Sequence, residues 1–169
     1  MTWLYLIASL GALVYGVIFV YKTKTGSPYL PSENEEINVI IKHLPKQAKV
    51  CDFGAGDGRL MVKISEAKPK IEVWGWEIEP LIWLVNKQKL KKNKAYLEGR
   101  LHYQFGDMWQ VKFDRFDVLV VYQLERFADR LAEKCKREMK PGSLVLANTY
   151  PIKDLREINR DGKIIIYQI

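Results

Sequence analysis

The sequence predicts an α/β fold: a mostly parallel sheet with helices on both faces and an antiparallel C-terminal hairpin, preceded by one N-terminal transmembrane helix. Three observations predict it. Residues 3–21 carry no charge. From residue 32 onward, short β-branched runs alternate with amphipathic stretches at the spacing of βαβ units. Near the C-terminus, Asp161-Gly162 separates two strand-like runs, as a hairpin turn requires.

Composition narrows the classes. A chain of 169 residues, 48% apolar and 28% charged, can bury one sizeable core and is not disordered. Cys51 and Cys135 lie far apart in apolar runs, which is neither a zinc spacing nor a disulfide framework and points to a reducing compartment. Two histidines argue against a His-rich metal site. The net charge of +7 admits nucleic acid, an anionic membrane surface or an acidic protein as partner and selects none of them.

Each element has a local reason. A helix over 3–21 would span about 28 Å, close to the ~30 Å hydrocarbon core of a bilayer. Trp3, Tyr5 and Tyr21 sit at its ends as interfacial aromatics, and Lys22 and Lys24 follow. The positive-inside rule then places the remaining chain on the cytoplasmic (or matrix) side. The chain thus divides into an anchor over 1–21, a linker over 22–31 with Gly26, Pro28 and Pro31, and a catalytic domain over 32–169.

Ser32 and Glu35 have the spacing of a capping box, and Ile37, Ile40, Ile41 and Leu44 form one apolar face before Pro45. A strand over 49–53, a helix over 60–67 and a strand over 71–76 follow, with Trp74 and Trp76 on one face as core residues. The next helix, 80–91, is expected to bury Leu81, Trp83, Leu84 and Val85. Strands over 101–105 and 117–122 precede a helix over 125–139 that repeats Phe127, Leu131, Cys135 and Met139 at four-residue steps. Pro141-Gly142 breaks to a strand over 143–147, and 152–158 pairs with 163–169 in the hairpin. Lys87, Lys89, Lys91, Lys92 and Lys94 read as a solvated face, or as a contact for anionic lipid headgroups or RNA.

The chemistry gathers at three successive strand ends. Asp52-Phe53-Gly54-Ala55-Gly56-Asp57-Gly58-Arg59 runs from strand into helix, and Gly54, Gly56 and Gly58 let the backbone turn sharply and approach a ligand closely. The spacing G-x-G-x-G departs from the dinucleotide fingerprint G-x-G-x-x-G. Asp52 would repel a diphosphate and welcome an ammonium. S-adenosylmethionine carries an ammonium and a sulfonium and no phosphate. Glu77, which closes the second strand 19 residues after Gly58, can accept both ribose hydroxyls. At the third strand's end, Asp107 is placed to accept from an adenine amino group and Met108 to pack on the ring. All three ends lie at the carboxyl edge of the sheet, where such folds bind ligands.

With these residues the domain resembles the Rossmann-like, seven-stranded, class I S-adenosylmethionine-dependent methyltransferases, over residues 32–169. Pro28-Tyr29-Leu30-Pro31-Ser32, the glycine loop, Gly106-Asp107-Met108-Trp109, Lys140-Pro141-Gly142 and Tyr150-Pro151 further resemble the small membrane-anchored protein lysine N-methyltransferases of the ATP synthase c subunit and adenine nucleotide translocase, and their prokaryotic relatives. The resemblance implies that Tyr29 and Pro31 close one side of the cofactor site. Read without it, they are a linker with a rigid turn.

The acceptor should enter beside the fourth strand's end, where Tyr122 and Gln123 are the candidate catalytic residues. Tyr122 would orient an amine by its hydroxyl or hold a cation against its ring. Tyr122-Gln123-Leu124-Glu125 replaces the Asn/Asp-Pro-Pro-aromatic run of many adenine and amide methyltransferases of this fold, which counts against those acceptors. The expected function is methyl transfer to a lysine of a membrane protein. A lipid, quinone or RNA acceptor and a non-catalytic cofactor-binding module remain alternatives.

Overall fold

A computed structural model describes the backbone of residues 2–25 and 32–169, and the side chains of 3–17, 20 and 32–169. Pro28, Tyr29, Pro31 and most of the expected linker lie outside the described residues.

The first helix, α1, spans Thr2–Thr25. The expected single-pass placement, with the domain on the cytoplasmic or matrix side, is corrected by this structure: among the described residues no helix is long and apolar enough to cross a membrane.

The domain carries the expected βα alternation. It runs α2 (Asn34–His43), β1 (Ala48–Phe53), α3 (Arg59–Ala67), β2 (Ile71–Glu77), α4 (Pro80–Leu90), α5 (Lys94–Leu97), β3 (Leu101–Phe105), β4 (Val118–Val121), α6 (Ala128–Glu138), β5 (Leu144–Asn148), β6 (Arg156–Asp161) and β7 (Ile164–Gln168). The seven strands form one sheet in the order β3-β2-β1-β4-β5-β7-β6. β1 to β5 are mutually parallel, and β7 runs antiparallel between β5 and β6. The order reverses between β1 and β4, and in open α/β sheets ligands bind at such a switch point, outside the strands' carboxyl ends.

Two apolar layers sandwich the sheet. On one side Ile37 and Ile40 of α2, Met61 and Ile64 of α3, and Leu90 of α4 cover Val50, Val73, Val118 and Val120. On the other, Leu131 and Cys135 of α6, with Phe113 and Phe116, cover Cys51, Leu119, Val121 and Val145. Strand residues therefore alternate between two buried faces, which explains their continuous β-branched runs.

Four expectations are corrected in detail. The capping box of α2 is formed one residue later, by Glu33 and Glu36, with the Glu33 N–H donating to Glu36 Oε2 at 2.9 Å. On α4, Leu81, Leu84 and Val85 are 59%, 50% and 55% exposed, while Asn86 and Leu90 are buried and Trp83 half-buried. Residues 83, 86 and 90 share a face as well as 81, 84 and 85 do. The packed face carries Trp83, which meets the core and the Phe105 ring, while Glu79 caps the helix by accepting from the N–H groups of Leu81 and Ile82. Trp74 and Trp76 are only half-buried, and the Arg115 guanidinium lies 4.3 Å from the Trp74 ring centroid. They pack at the margin of the second apolar layer, where Trp76 meets Phe116 with ring centroids 5.9 Å apart. Finally, β6 begins only at Arg156, the Ile152 N–H donating instead to the Tyr167 hydroxyl at 2.8 Å, and its hairpin turns on Gly162-Lys163.

Candidate functional site

The loop from β1 to α3 is built on three left-handed glycines, Gly54, Gly56 and Gly58, at φ of +95°, +53° and +77°. Side chains would be strained there. A Cβ at Gly54 would meet nothing within 4 Å, so the loop faces open space. Its other side is tied down. The Ala55 N–H donates to the Trp76 carbonyl at 3.0 Å, and the Tyr103 hydroxyl donates to the Gly56 carbonyl at 2.6 Å. Burial, and then Glu77 and Asp57, push the Tyr103 phenol well up, so it stays protonated as that donor.

Glu77 ends β2 and is 6% exposed. Its Oε2 accepts the Gly56 N–H at 3.0 Å, and its Oε1 accepts the Glu79 N–H at 2.7 Å. One carboxylate therefore orients the glycine loop and the start of α4 together. Asp52 lies one residue before the end of β1 and is 7% exposed. Burial, then the nearby charges of Glu77 and Asp57, raise its carboxyl from 3.8 to about 7. Asp52, Glu77 and the loop thus come together as a buried acidic cradle. It suits a ligand bearing an ammonium and a sulfonium, and it would repel a phosphate.

At the ends of β3 and β4, Asp107 Oδ1 accepts the Trp109 N–H at 2.9 Å and caps the short turn that carries Met108. Met108 is buried, with its Sδ 3.4 Å from Gln123 Nε2. Gln123 is 7% exposed, and its Oε1 has no hydrogen-bond partner among the described residues. Tyr122 is half-buried and pairs with Tyr150 beyond β5, ring centroids 6.3 Å apart. Tyr29 lies outside the described residues.

Sequence reasoning missed three contributors. Gly75 sits mid-strand in β2, where a Cβ would lie 2.5 Å from Met61 Sδ and 2.6 Å from Ala55 Cβ. A glycine inside a strand is a known mark of close approach, so that signal was present. Tyr103 and the Tyr150 ring had no local signal for these contacts.

Residues 52–159 match the family described as ANTKMT methyltransferase domain. A relative from Rattus norvegicus, named as the lysine N-methyltransferase of the ATP synthase c subunit, is 27% identical over 125 residues, covering 73% of this chain and 56% of the relative. The Xenopus laevis protein of the same name is 26% identical, over 73% of this chain and 54% of its own. The chain thus spans little more than half the length of these curated relatives. A Protein-lysine N-methyltransferase from Saccharolobus islandicus is 23% identical, with coverage of 75% and 78%. Among solved structures, an RNA methyltransferase from Salinibacter ruber in complex with S-adenosyl-L-homocysteine superposes with a TM-score of 0.71 at 16% identity, over 82% of this chain and 92% of that one. That likeness concerns the fold.

Proposed function

The chain belongs to the family of the ANTKMT methyltransferase domain, and from that premise we propose that it transfers methyl groups from S-adenosyl-L-methionine to the side-chain amine of a protein lysine. The observation that carries this reading is the acidic cradle of Asp52 and Glu77 around the glycine loop at the switch point. The names of the relatives support the lysine acceptor.

The residues have distinct parts in it. Glu77 would take the ribose hydroxyls, with its carboxylate already aimed by the Gly56 and Glu79 N–H groups. Asp52 would face the donor's ammonium, and Asp107 and Met108 would bound the adenine. Bound there, S-adenosyl-L-methionine would supply an activated methyl group, whose S–C bond would break, leaving a thioether, as the amine's lone pair forms the N–C bond. The acceptor ammonium must first give its proton to water. Tyr122 and Gln123, at the end of β4, would hold the neutral amine in line, so that proximity and orientation carry most of the acceleration.

The test is transfer of tritiated methyl from S-adenosylmethionine into protein, lipid and RNA fractions of host-cell extract. Wild type is compared with Glu77→Ala. Label in a discrete protein band, lost in the variant, is expected. Unlabelled protein overturns the reading, and counts in lipid or RNA replace it. Glu77→Ala should also weaken cofactor binding by about 2 kcal/mol, roughly 30-fold, through lost charge-assisted hydrogen bonds. Unchanged affinity in calorimetry would remove the ribose assignment.

A further inference from the structure

We propose that Tyr122 and Tyr150 together form an aromatic subsite for the acceptor's alkylammonium group, one that grips the methylated forms more tightly than the unmethylated one. The inference rests on the lysine reading above and extends it from the acceptor's class to the number of methyl groups it can carry.

Both residues follow parallel neighbours, β4 and β5, whose last paired residues are Val121 and Ala147. The register brings the two rings to the same carboxyl edge, one and two strands away from the glycine loop that follows β1. Their centroids are 6.3 Å apart, with the planes tilted by 36°. Both side chains are only half-buried. A cation at the mouth of such a pair lies within the ~6 Å over which a ring quadrupole attracts it, from both rings at once.

The position of Tyr150 is enforced. Thr149 takes φ +67°, and the Tyr150 N–H donates back to the Asn148 carbonyl at 2.8 Å. This is a three-residue turn of the rare, strained hand, at a β-branched residue that resists it. Its anchors are explicit. The Thr149 N–H donates to the Lys163 carbonyl at 2.8 Å. The Thr149 hydroxyl donates to Asn148 Oδ1 at 2.9 Å, and Asn148 Nδ2 donates to Glu36 Oε2 at 3.0 Å. Such strain persists only where the surroundings over-determine it, and it clusters at ligand sites. Here its product is a tyrosine ring set beside Tyr122.

The selectivity follows from solvation. An unmethylated ammonium is strongly hydrated and gives up its water reluctantly. Each methyl group spreads the charge and weakens that hydration, while the attraction to a ring face remains. A monomethylated or dimethylated lysine would be held for further turnover, and the final product would dissociate slowest.

The full chain, loaded with S-adenosylhomocysteine, is titrated with n-butylammonium and with n-butyltrimethylammonium, and the tyrosine ring resonances are followed by NMR. The trimethyl compound should bind about 3-fold or more tightly. Tyr150→Phe, which keeps a ring, should preserve that preference. Tyr150→Ala should erase it while the affinity for S-adenosylmethionine is kept. Equal affinities in the wild type, or a preference that survives in Tyr150→Ala, overturns the subsite. Cofactor binding by the same samples separates the two readings. If S-adenosylmethionine fails to bind, the methyltransferase reading fails. If it binds and the ammonium preference is absent, only the subsite fails. Should Tyr150→Ala not fold, the wild-type comparison alone still decides.

Discussion

Asp52 is the residue whose chemistry differs most from its position in the sequence. Nothing about an aspartate at a strand end marks it as a weak acid, yet burial, with Glu77 and Asp57 nearby, holds its carboxyl at about 7. A cationic donor favours the ionised form, so binding should release a proton near neutrality. Affinity for S-adenosylmethionine should rise with pH up to about 7 and level off above. Below that it should fall by up to about tenfold per pH unit. Calorimetry from pH 5.5 to 8.5, in buffers of different ionisation heat, would show the proton release. Asp52→Asn should flatten the profile and weaken binding at pH 8, and a flat wild-type profile would refute the linkage. The strand ends near which these acids sit were legible from the β-branched runs: Asp52 lies one residue before the end of β1, Glu77 ends β2, and Asp107 lies two residues past β3. What those side chains do to one another was not, because mutual repulsion depends on a register between β1 and β2 that no local pattern states.

At the scale of elements, strand and helix order followed from periodicity, and the errors fell where two periodic solutions competed. On α4 two stripes satisfy helical spacing, and the one carrying Trp83 and Leu90 packs on the core. At the hairpin, the Ile152 N–H donates to a tyrosine hydroxyl from β7, and β6 begins only at Arg156. Gly75 shows the same dependence on neighbours from another side. Its φ is unexceptional, but an added methyl would lie 2.5 Å from Met61 Sδ and 2.6 Å from Ala55 Cβ. Met61 can swing aside. Ala55 cannot move without shifting the glycine loop it belongs to, whose N–H is bonded to the Trp76 carbonyl. Gly75→Ala should therefore cost about 1–3 kcal/mol by overpacking. It should also weaken cofactor binding, although Gly75 is not placed to touch the ligand. Thermal melts and calorimetry on one sample would measure both effects, and a variant that loses stability with affinity intact would show that the loop absorbs the methyl elsewhere.

Across the whole molecule, a small polar network joins the beginning of the domain to its end. Glu36 of α2 accepts from Asn148 at the end of β5 and from Lys163 in the final turn, bonds that close 112 and 127 residues of chain. Burial alone would raise the Glu36 carboxyl, but the Glu33 N–H, the Asn148 amide and the Lys163 ammonium outweigh it and hold it below 4.5. A carboxyl lowered by folding contributes stability above its ordinary value and loses it as pH falls through the folded one. This tie therefore weakens at the acid edge, below about pH 4.5. Asp52 has the opposite sign. Its raised carboxyl favours the folded state at low pH, and that contribution is lost as pH rises from about 4 to 7. The ligand-free domain should thus be less stable at pH 8 than at pH 5.5, and S-adenosylmethionine should raise its Tm more at pH 8. The two ends of the network are unequal. Glu36→Ala takes the acceptor from the Glu33 N–H and the Lys163 ammonium, leaves the buried Asn148 amide only its longer bond to Ser32 Oγ, and should cost about 2 kcal/mol, roughly 4–8 °C in Tm. Lys163→Ala removes only the exposed partner and should cost under about 1 kcal/mol. Equal losses in the two variants would mean that the ion pair, rather than the Asn148 bond, holds α2 to the sheet. Because Asn148 also opens the strained turn before Tyr150, Glu36→Ala should lower the preference for methylated ammonium along with the Tm, while Lys163→Ala should leave that preference largely in place.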